Sequence, residues 1–142
     1  MSSVVNGLVG GLIATVVMTV FMELLGDESP PLTAIFWSKY IGGASPEEYT
    51  LHGLALHLVY GASAGGVFEH AAGVLKIDIG TVDSGVLWGS MYGVLLFVIG
   101  VGFWMRLILG VKIRTKMLGM SLFFHLVYGV VHGAWAGFGI IG

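Results

Sequence analysis

Three histidines, His57, His125 and His132, fall well inside long apolar stretches of the chain. Two of them open the same five-residue string: His57-Leu-Val-Tyr-Gly61 returns 68 residues later as His125-Leu-Val-Tyr-Gly129. His57 follows Tyr49 by 8 residues and His125 follows Lys116 by 9. On helices, both imidazoles then sit about 12–13 Å from the ends and are matched in depth. A neutral imidazole donates one hydrogen bond and accepts another. Three chemistries suit that pattern. The histidines could tie a packed helix to a backbone carbonyl or to a neighbouring tyrosine, which is the leading reading. His57 and His125 could ligate a haem b from two sides, or His57, His125 and His132 could relay protons. Gly61 and Gly129, one turn further on, suit a close helix contact as well as the edge of a porphyrin.

The remaining polar groups invite plainer readings. Glu23 lies about 28 Å along its helix from Val4, and Glu69 about 27 Å from Leu51, so both are expected as solvated carboxylates at opposite membrane surfaces, with a buried ion or proton site as the minority reading. Thr15 and Thr19 are expected to bond back to their own helix. His52 and His70 fall near the two ends of one apolar stretch and read as interfacial. No Ser/His/Asp set, P-loop, dinucleotide fingerprint or His-Glu-x-x-His motif is present, so no catalytic residue is assigned. There is no cysteine, which removes thiol catalysis and thiolate metal sites, and no metal set is assigned. A net charge of −2 without a basic run argues against nucleic acid.

The elements that carry these groups follow from composition. Of 142 residues, 56% are hydrophobic and 10% charged, and mean hydropathy is +0.95. A soluble domain carries about 25% charged residues, so this chain has too few to cover a soluble surface. Four apolar runs reach the roughly 20 residues that a helix needs to cross a bilayer: about 4–25, 49–75, 85–109 and 117–141. They are unbroken rather than alternating, which favours helices over a β-barrel. The first has no Lys or Arg before it and no small-x-small cleavage site after it, so it reads as a retained span rather than a signal peptide. Between the first two runs, Leu32–Tyr40 is too short to cross and rich in aromatics, and we expect a short helix at the membrane surface. Ser45-Pro46-Glu47-Glu48 predicts a capping box at the start of the second span, and Thr81-Val82-Asp83-Ser84 a similar cap before the third. Lys39, Arg106, Lys112, Arg114 and Lys116 fall in or beside loops one and three, so those loops are expected in the cytoplasm and both termini outside.

The repeated string also implies an ordering of the spans. Spans two and four run in the same direction, so a duplicated two-helix unit would give a parallel repeat about an axis along the membrane normal. Within every span small or polar residues recur every fourth position: Gly7, Gly11, Thr15; Gly53, His57, Gly61, Gly65; Gly85, Gly89, Gly93; Gly129, Gly133, Gly137. Residues four apart share a helix face, and in lipid small residues let backbones approach closely. Gly7, Gly11, Gly61, Gly65, Gly89, Gly93, Gly129 and Gly133 are therefore read as helix-packing positions. The expected fold is all-α: one transmembrane domain over 1–142, a four-helix bundle built from a parallel two-helix repeat, with one short interfacial helix.

Gly10-Gly-Leu-Ile-Ala-Thr-Val-Val-Met-Thr19, followed by two copies of His-Leu-Val-Tyr-Gly-x-x-x-Gly, resembles a group of short four-span prokaryotic membrane proteins that includes haloarchaeal members. The likeness covers the first span and the two repeat helices, about half the chain. It implies a four-helix membrane fold and carries over no catalytic residue. From the residues themselves, the leading function is that of a non-catalytic accessory subunit in a larger membrane complex. A small-solute or proton transporter acting as a homo-oligomer is the first alternative, and a haem-binding electron-transfer subunit the second. The partners implied are the lipid bilayer and either other membrane proteins or further copies of the chain.

Overall fold

A computed structural model describes residues 2–140. These are helical or in turns and loops, with no strand among them. We label the helices α1 (Ser2–Leu25), α2 (Leu32–Trp37), α3 (Thr50–Leu75), α4 (Val82–Ile99) and α5 (Thr115–Phe138). A π-helical turn, Ser38–Gly42, follows α2, and a tight 3-10 turn, Pro46–Tyr49, leads into α3. A π-helical stretch, Gly100–Ile108, prolongs α4. Four segments are long and apolar enough to cross a membrane: Val4–Leu25, Pro46–Leu75, Val82–Ile108 and Thr115–Phe138.

Local chemistry explains where these segments begin and end. Thr81 and Ser84 form the full reciprocal cap, the Ser84 N–H donating to Thr81 Oγ1 at 3.2 Å and the Thr81 N–H to Ser84 Oγ at 3.3 Å. The third span therefore starts at Val82, three residues before the expected Gly85. Asp83 sits in its first turn, at the positive end of the helix. The box expected at Ser45 does not form. Ser45 Oγ donates to the Glu48 carboxylate at 3.3 Å instead of accepting from the backbone, because Pro46–Tyr49 winds as a 3-10 turn before the α-helix begins at Thr50. At the far end of α3, Lys76 turns left-handed (φ 55°) and the Ile77 N–H donates to the Ala72 carbonyl at 2.9 Å, closing the helix. The fourth span ends at Phe138, with Gly139 left-handed at φ 59°. Its expected last residue, Ile141, lies outside the described residues, as do Met1 and Gly142.

The bundle is assembled from two antiparallel hairpins. In the first, α1 lies on α3: a Cβ added to Gly11 would stand 2.9 Å from Gly65 Cα. In the second, α4 lies on α5: a Cβ added to Gly89 would stand 2.7 Å from Gly133 Cα. Gly11 meets Gly61 and Gly65 much as Gly89 meets Gly129 and Gly133, so the two hairpins share one contact register. Helix α5 also runs antiparallel to α1, with Trp135 against Asn6 at one end and Phe123 against Phe21 at the other. It follows that α3 and α5 point the same way. Where α3 faces the second hairpin, aromatic side chains fill the space: Phe68 and Tyr92 ring centroids are 5.1 Å apart. The core between the hairpins holds Ala14, Met18, Ala64, Leu96, Phe124 and Tyr128. Helix α2 leans on α3, its fully buried Ala34 against Gly53.

The outward face is apolar. Leu8, Leu12, Val16 and Val20 form a stripe on α1 with 40–52% of their surface exposed. Water would penalise such a stripe, whereas lipid tails would not. At one end, Lys39 Nζ donates to the carbonyls of Ile108 and Leu109 (3.3 and 3.2 Å), and the Tyr40 hydroxyl donates to Ile108 as well. The α1–α3 connection is thereby fastened to the last turn of the π-helical stretch.

Candidate functional site

Helix packing buries one polar cluster that the residues alone did not announce. Asn6 enters from α1, Glu69 from α3, Trp135 and His132 from α5. Asn6 Nδ2 donates to Glu69 Oε1 at 3.1 Å, and Trp135 Nε1 donates to Asn6 Oδ1 at 2.8 Å. Asn6 thus uses both ends of its amide, linking a carboxyl to an indole across three helices. Asn6 is 5% exposed and Glu69 6%. The expectation of a solvated Glu69 is overturned. Its height along α3 is near the helix end, as expected, but α1 and α5 cover it there, and the glycine contacts bring α1 close enough for Asn6 to reach it.

His132 is the most enclosed polar side chain of the cluster, with no exposed surface. Its ring meets Phe68 edge-on at 5.1 Å and stacks on Tyr128 at 5.8 Å. Nδ1 lies beside the Gly10 backbone, and neither ring nitrogen has a well-aligned hydrogen-bond partner among the described residues. Gly10 makes the space, since a Cβ there would lie 3.0 Å from His132 Nδ1. Glu69 stands beside Gly7 and His132 beside Gly10, so the carboxyl and the imidazole address one turn of α1 from two other helices. A buried carboxyl, an amide and an imidazole of this kind can hold or pass a proton when water reaches them.

The paired histidines are placed elsewhere. His125 is half-buried and donates from Nδ1 to the Ser121 carbonyl of its own helix at 2.7 Å. A carbonyl only accepts, so neutral His125 carries its proton on Nδ1 and leaves Nε2 as an acceptor. His57 is also half-buried, and its Nε2 is enclosed without a partner. Neither makes the cross-helix hydrogen bond of the leading reading. Tyrosines do so instead: Tyr128 donates to the Gly61 carbonyl at 2.7 Å, and Tyr92 to the Ala64 carbonyl at 2.8 Å. The first of these joins the two copies of the repeated string, with the tyrosine of one on the glycine of the other. Tyr60, the matching tyrosine, accepts from Trp104 Nε1 at 3.3 Å and stays 36% exposed. His132 keeps different company from His57 and His125, so the three do not form one chain.

For a haem between His57 and His125, the same geometry offers one favourable feature and one unfavourable one. A free Nε2 on an imidazole anchored through Nδ1, as in His125, suits an axial ligand. The glycines that would have to admit the macrocycle do not suit it. Gly61 is filled by Thr15, whose hydroxyl donates to the Gly11 carbonyl at 2.7 Å, and Gly129 lies against the backbone of Gly89 and Gly93. Thr19 makes the same backward bond, to the Thr15 carbonyl at 2.7 Å. Glu23, His52 and His70 are exposed, His52 lying against Trp37 and Tyr49. No protein-family model, curated protein or solved structure matches the chain.

Proposed function

We propose that this chain is a non-catalytic, multi-span membrane protein that serves as a packing subunit of a larger membrane complex. Four helices long and apolar enough to cross a bilayer are compatible with residence in a membrane. The observation that carries the subunit reading is the shared backbone contact of the two hairpins. Glycines meet glycines within each hairpin, and aliphatic and aromatic side chains fill the space between the hairpins, so no path for a substrate is left between them. On this reading the hairpins descend from one duplicated unit, the glycine stripes are its packing faces, and α2 lies along the membrane surface. The likeness to four-span prokaryotic membrane proteins belongs to the same proposal. Loops one and three then face the cytoplasm and the termini face out. The contact of Lys39 with Ile108 and Leu109 supports that pairing, since it brings loop one to the end of α4 where loop three begins.

The test is extraction from the native membrane in a mild detergent followed by mass measurement. We expect a particle larger than the 15.0 kDa chain that holds a second membrane protein in fixed ratio. A particle containing only copies of this chain would defeat the reading. Single cysteines at Lys76 and Lys112, probed with an impermeant reagent, test the orientation: only Lys76→Cys should label from outside.

One observation favours a second reading, transport of protons or a small solute by a homo-oligomer. It is the buried pairing of Glu69 with Asn6, beside the unpartnered His132. Flux in liposomes that disappears in Glu69→Gln while the fold persists would promote it.

A further inference from the structure

Where α4 runs out, the chain builds a cavity that the packing of the bundle does not explain. The π-helical stretch contributes Val101 and Arg106, the following loop Val111 and Ile113, and the first turn of α5 Leu118; together they line an open hollow of about 350 Å³. Four of these walls are branched aliphatic side chains, and the fifth is a guanidinium. Gly110 shapes the site: at φ 63° it turns the chain back, and the Val111 N–H donates to the Met105 carbonyl at 3.0 Å. Arg106 and Lys112 are exposed and make no hydrogen bond with the described residues. Arg114 and Lys116 stand next along the chain, Arg114 just before the α5 N-terminus, which no side chain caps, and Lys116 in its first turn. These two cations share their field with Asp27, whose carboxyl is held below the usual range mainly by hydrogen bonds from Ser29 and further by Lys116 and Arg114. The positive charge at the cavity itself is that of Arg106. Phe36, Tyr40, Phe103 and Trp104 gather at the same end, as aromatic side chains do at a headgroup boundary.

We propose that this cavity binds an anionic phospholipid, its phosphate at Arg106 and the start of an acyl chain against Val101, Val111, Ile113 and Leu118. Charge complementarity selects the anion, and the aliphatic walls select a lipid over a free phosphate, to which they offer nothing. A planar guanidinium also matches a phosphate with two parallel hydrogen bonds. The inference rests on the membrane reading above. Retention of the chain in carbonate-washed membranes tests that reading separately, so the two can fail independently.

The experiment uses the full chain, delipidated in a neutral detergent, with lipid binding followed by native mass spectrometry. The probes are dioleoyl phosphatidylglycerol, dioleoyl phosphatidylcholine and sodium phosphate. We expect the phosphatidylglycerol to bind about fivefold more tightly than the phosphatidylcholine, in keeping with one cation acting at a headgroup. Arg106→Gln should bring the two lipids level, and Ile113→Trp, which fills the apolar half, should weaken both. Lys76→Gln, at the other end of α3, should change neither. Should Arg106→Gln fail to run as a single species on sizing, Arg106→Met, which keeps the aliphatic stem and removes the charge, replaces it, with the same direction expected. Equal binding of the two lipids, or a preference that survives these substitutions, overturns the proposal. Displacement of the phosphatidylglycerol by millimolar phosphate overturns the choice of a lipid.

Discussion

The two hairpins share a contact register and differ in chemistry. In both, small residues four apart bring the helix backbones together, Gly7, Gly11 and Thr15 against α3 and Gly85, Gly89 and Gly93 against α5. Matched through that register, Asn6 corresponds to Ser84, Thr15 to Gly93, Ala64 to His132 and Glu69 to Gly137. At each of these pairs the two hairpins carry different chemistry, and the groups of the buried cluster come from one side of a pair only. Shared positions therefore report what a tight helix pair needs. The unshared ones report what was fitted to the crossing of α1, α3 and α5. The repeated tyrosine makes the same point at finer scale, since Tyr128 is buried on the Gly61 carbonyl while Tyr60 faces outward to Trp104.

The largest effect should come from the shared positions. Gly89→Leu and Gly65→Leu each drive a side chain into backbone atoms of the facing helix, which cannot rotate away. Overpacking typically costs about 1–3 kcal/mol, and at a backbone contact we expect the upper part of that range or failure to assemble. Gly73, on the same helix as Gly65, has nothing within 4 Å of an added Cβ, so Gly73→Ala should be neutral or stabilise by up to about 1 kcal/mol. Thermal melting in detergent, followed by size-exclusion chromatography, reads all three. Equal melting of Gly65→Leu and Gly73→Ala would show that the close contacts are not what holds the hairpins.

Next come the unshared residues. Asn6→Ala strands both the Glu69 carboxyl and the Trp135 indole, and leaving buried polar groups unpaired costs about 1–3 kcal/mol. Adding Glu69→Leu to that variant removes the stranded carboxyl and should recover part of the loss. A double-mutant cycle measures the recovery. If the two substitutions simply add, Asn6 and Glu69 do not form a unit, and the contrast between the hairpins loses its main support.

A smaller difference is expected within the repeated string. Tyr128→Phe deletes one hydrogen bond across the bundle, worth about 0.6 kcal/mol on average in membranes. Tyr60→Phe deletes a longer one at an exposed site and should cost less. Reversed magnitudes in the melting curves would mean that the outward tyrosine is the one that matters.

Much of this architecture was legible in the chain itself, for physical reasons that particular residues illustrate. Long apolar runs have few alternatives to spanning helices, and Thr81 with Ser84 marks a helix start by spacing alone. The stripes of Gly61–Gly65 and Gly89–Gly93 stand out because close helix approach needs small residues every fourth position. Burial of Glu69 was not legible, because distance along a helix gives height and says nothing of which neighbours cover it. Asn6 and Trp135, 129 residues apart, carry no shared pattern that would pair them. The tyrosine bonds were hidden too, since the same five-residue string places one hydroxyl inside and the other outside. Nor does any spacing announce the π-helical Gly100–Ile108, which widens the third span near its end.

The smallest expected effect has the most to say about the cluster. His132 is enclosed completely, yet its nitrogens find no well-aligned partner among the described residues beyond the nearby Gly10 backbone, so the imidazole loses its hydration and recovers little hydrogen bonding. Its contacts are aromatic faces and edges, which an apolar side chain of similar volume can also make. If packing is its whole role, His132→Leu should leave the melting temperature unchanged or raise it slightly, since replacing an unsatisfied polar group by an apolar one is close to neutral. If the nitrogens are instead served by water threading toward Glu69, the same change removes a satisfied group and should destabilise by about 1–3 kcal/mol. Hydrogen exchange of the backbone near Gly10 separates the cases further, because a water path would leave that turn of α1 unprotected. Stable His132→Leu protein with a protected Gly10 turn would make the second hairpin's one unshared histidine a packing residue. A destabilised variant beside an exchanging turn would make it part of a wet polar site centred on Glu69, and the comparison between the hairpins would then describe function as well as assembly.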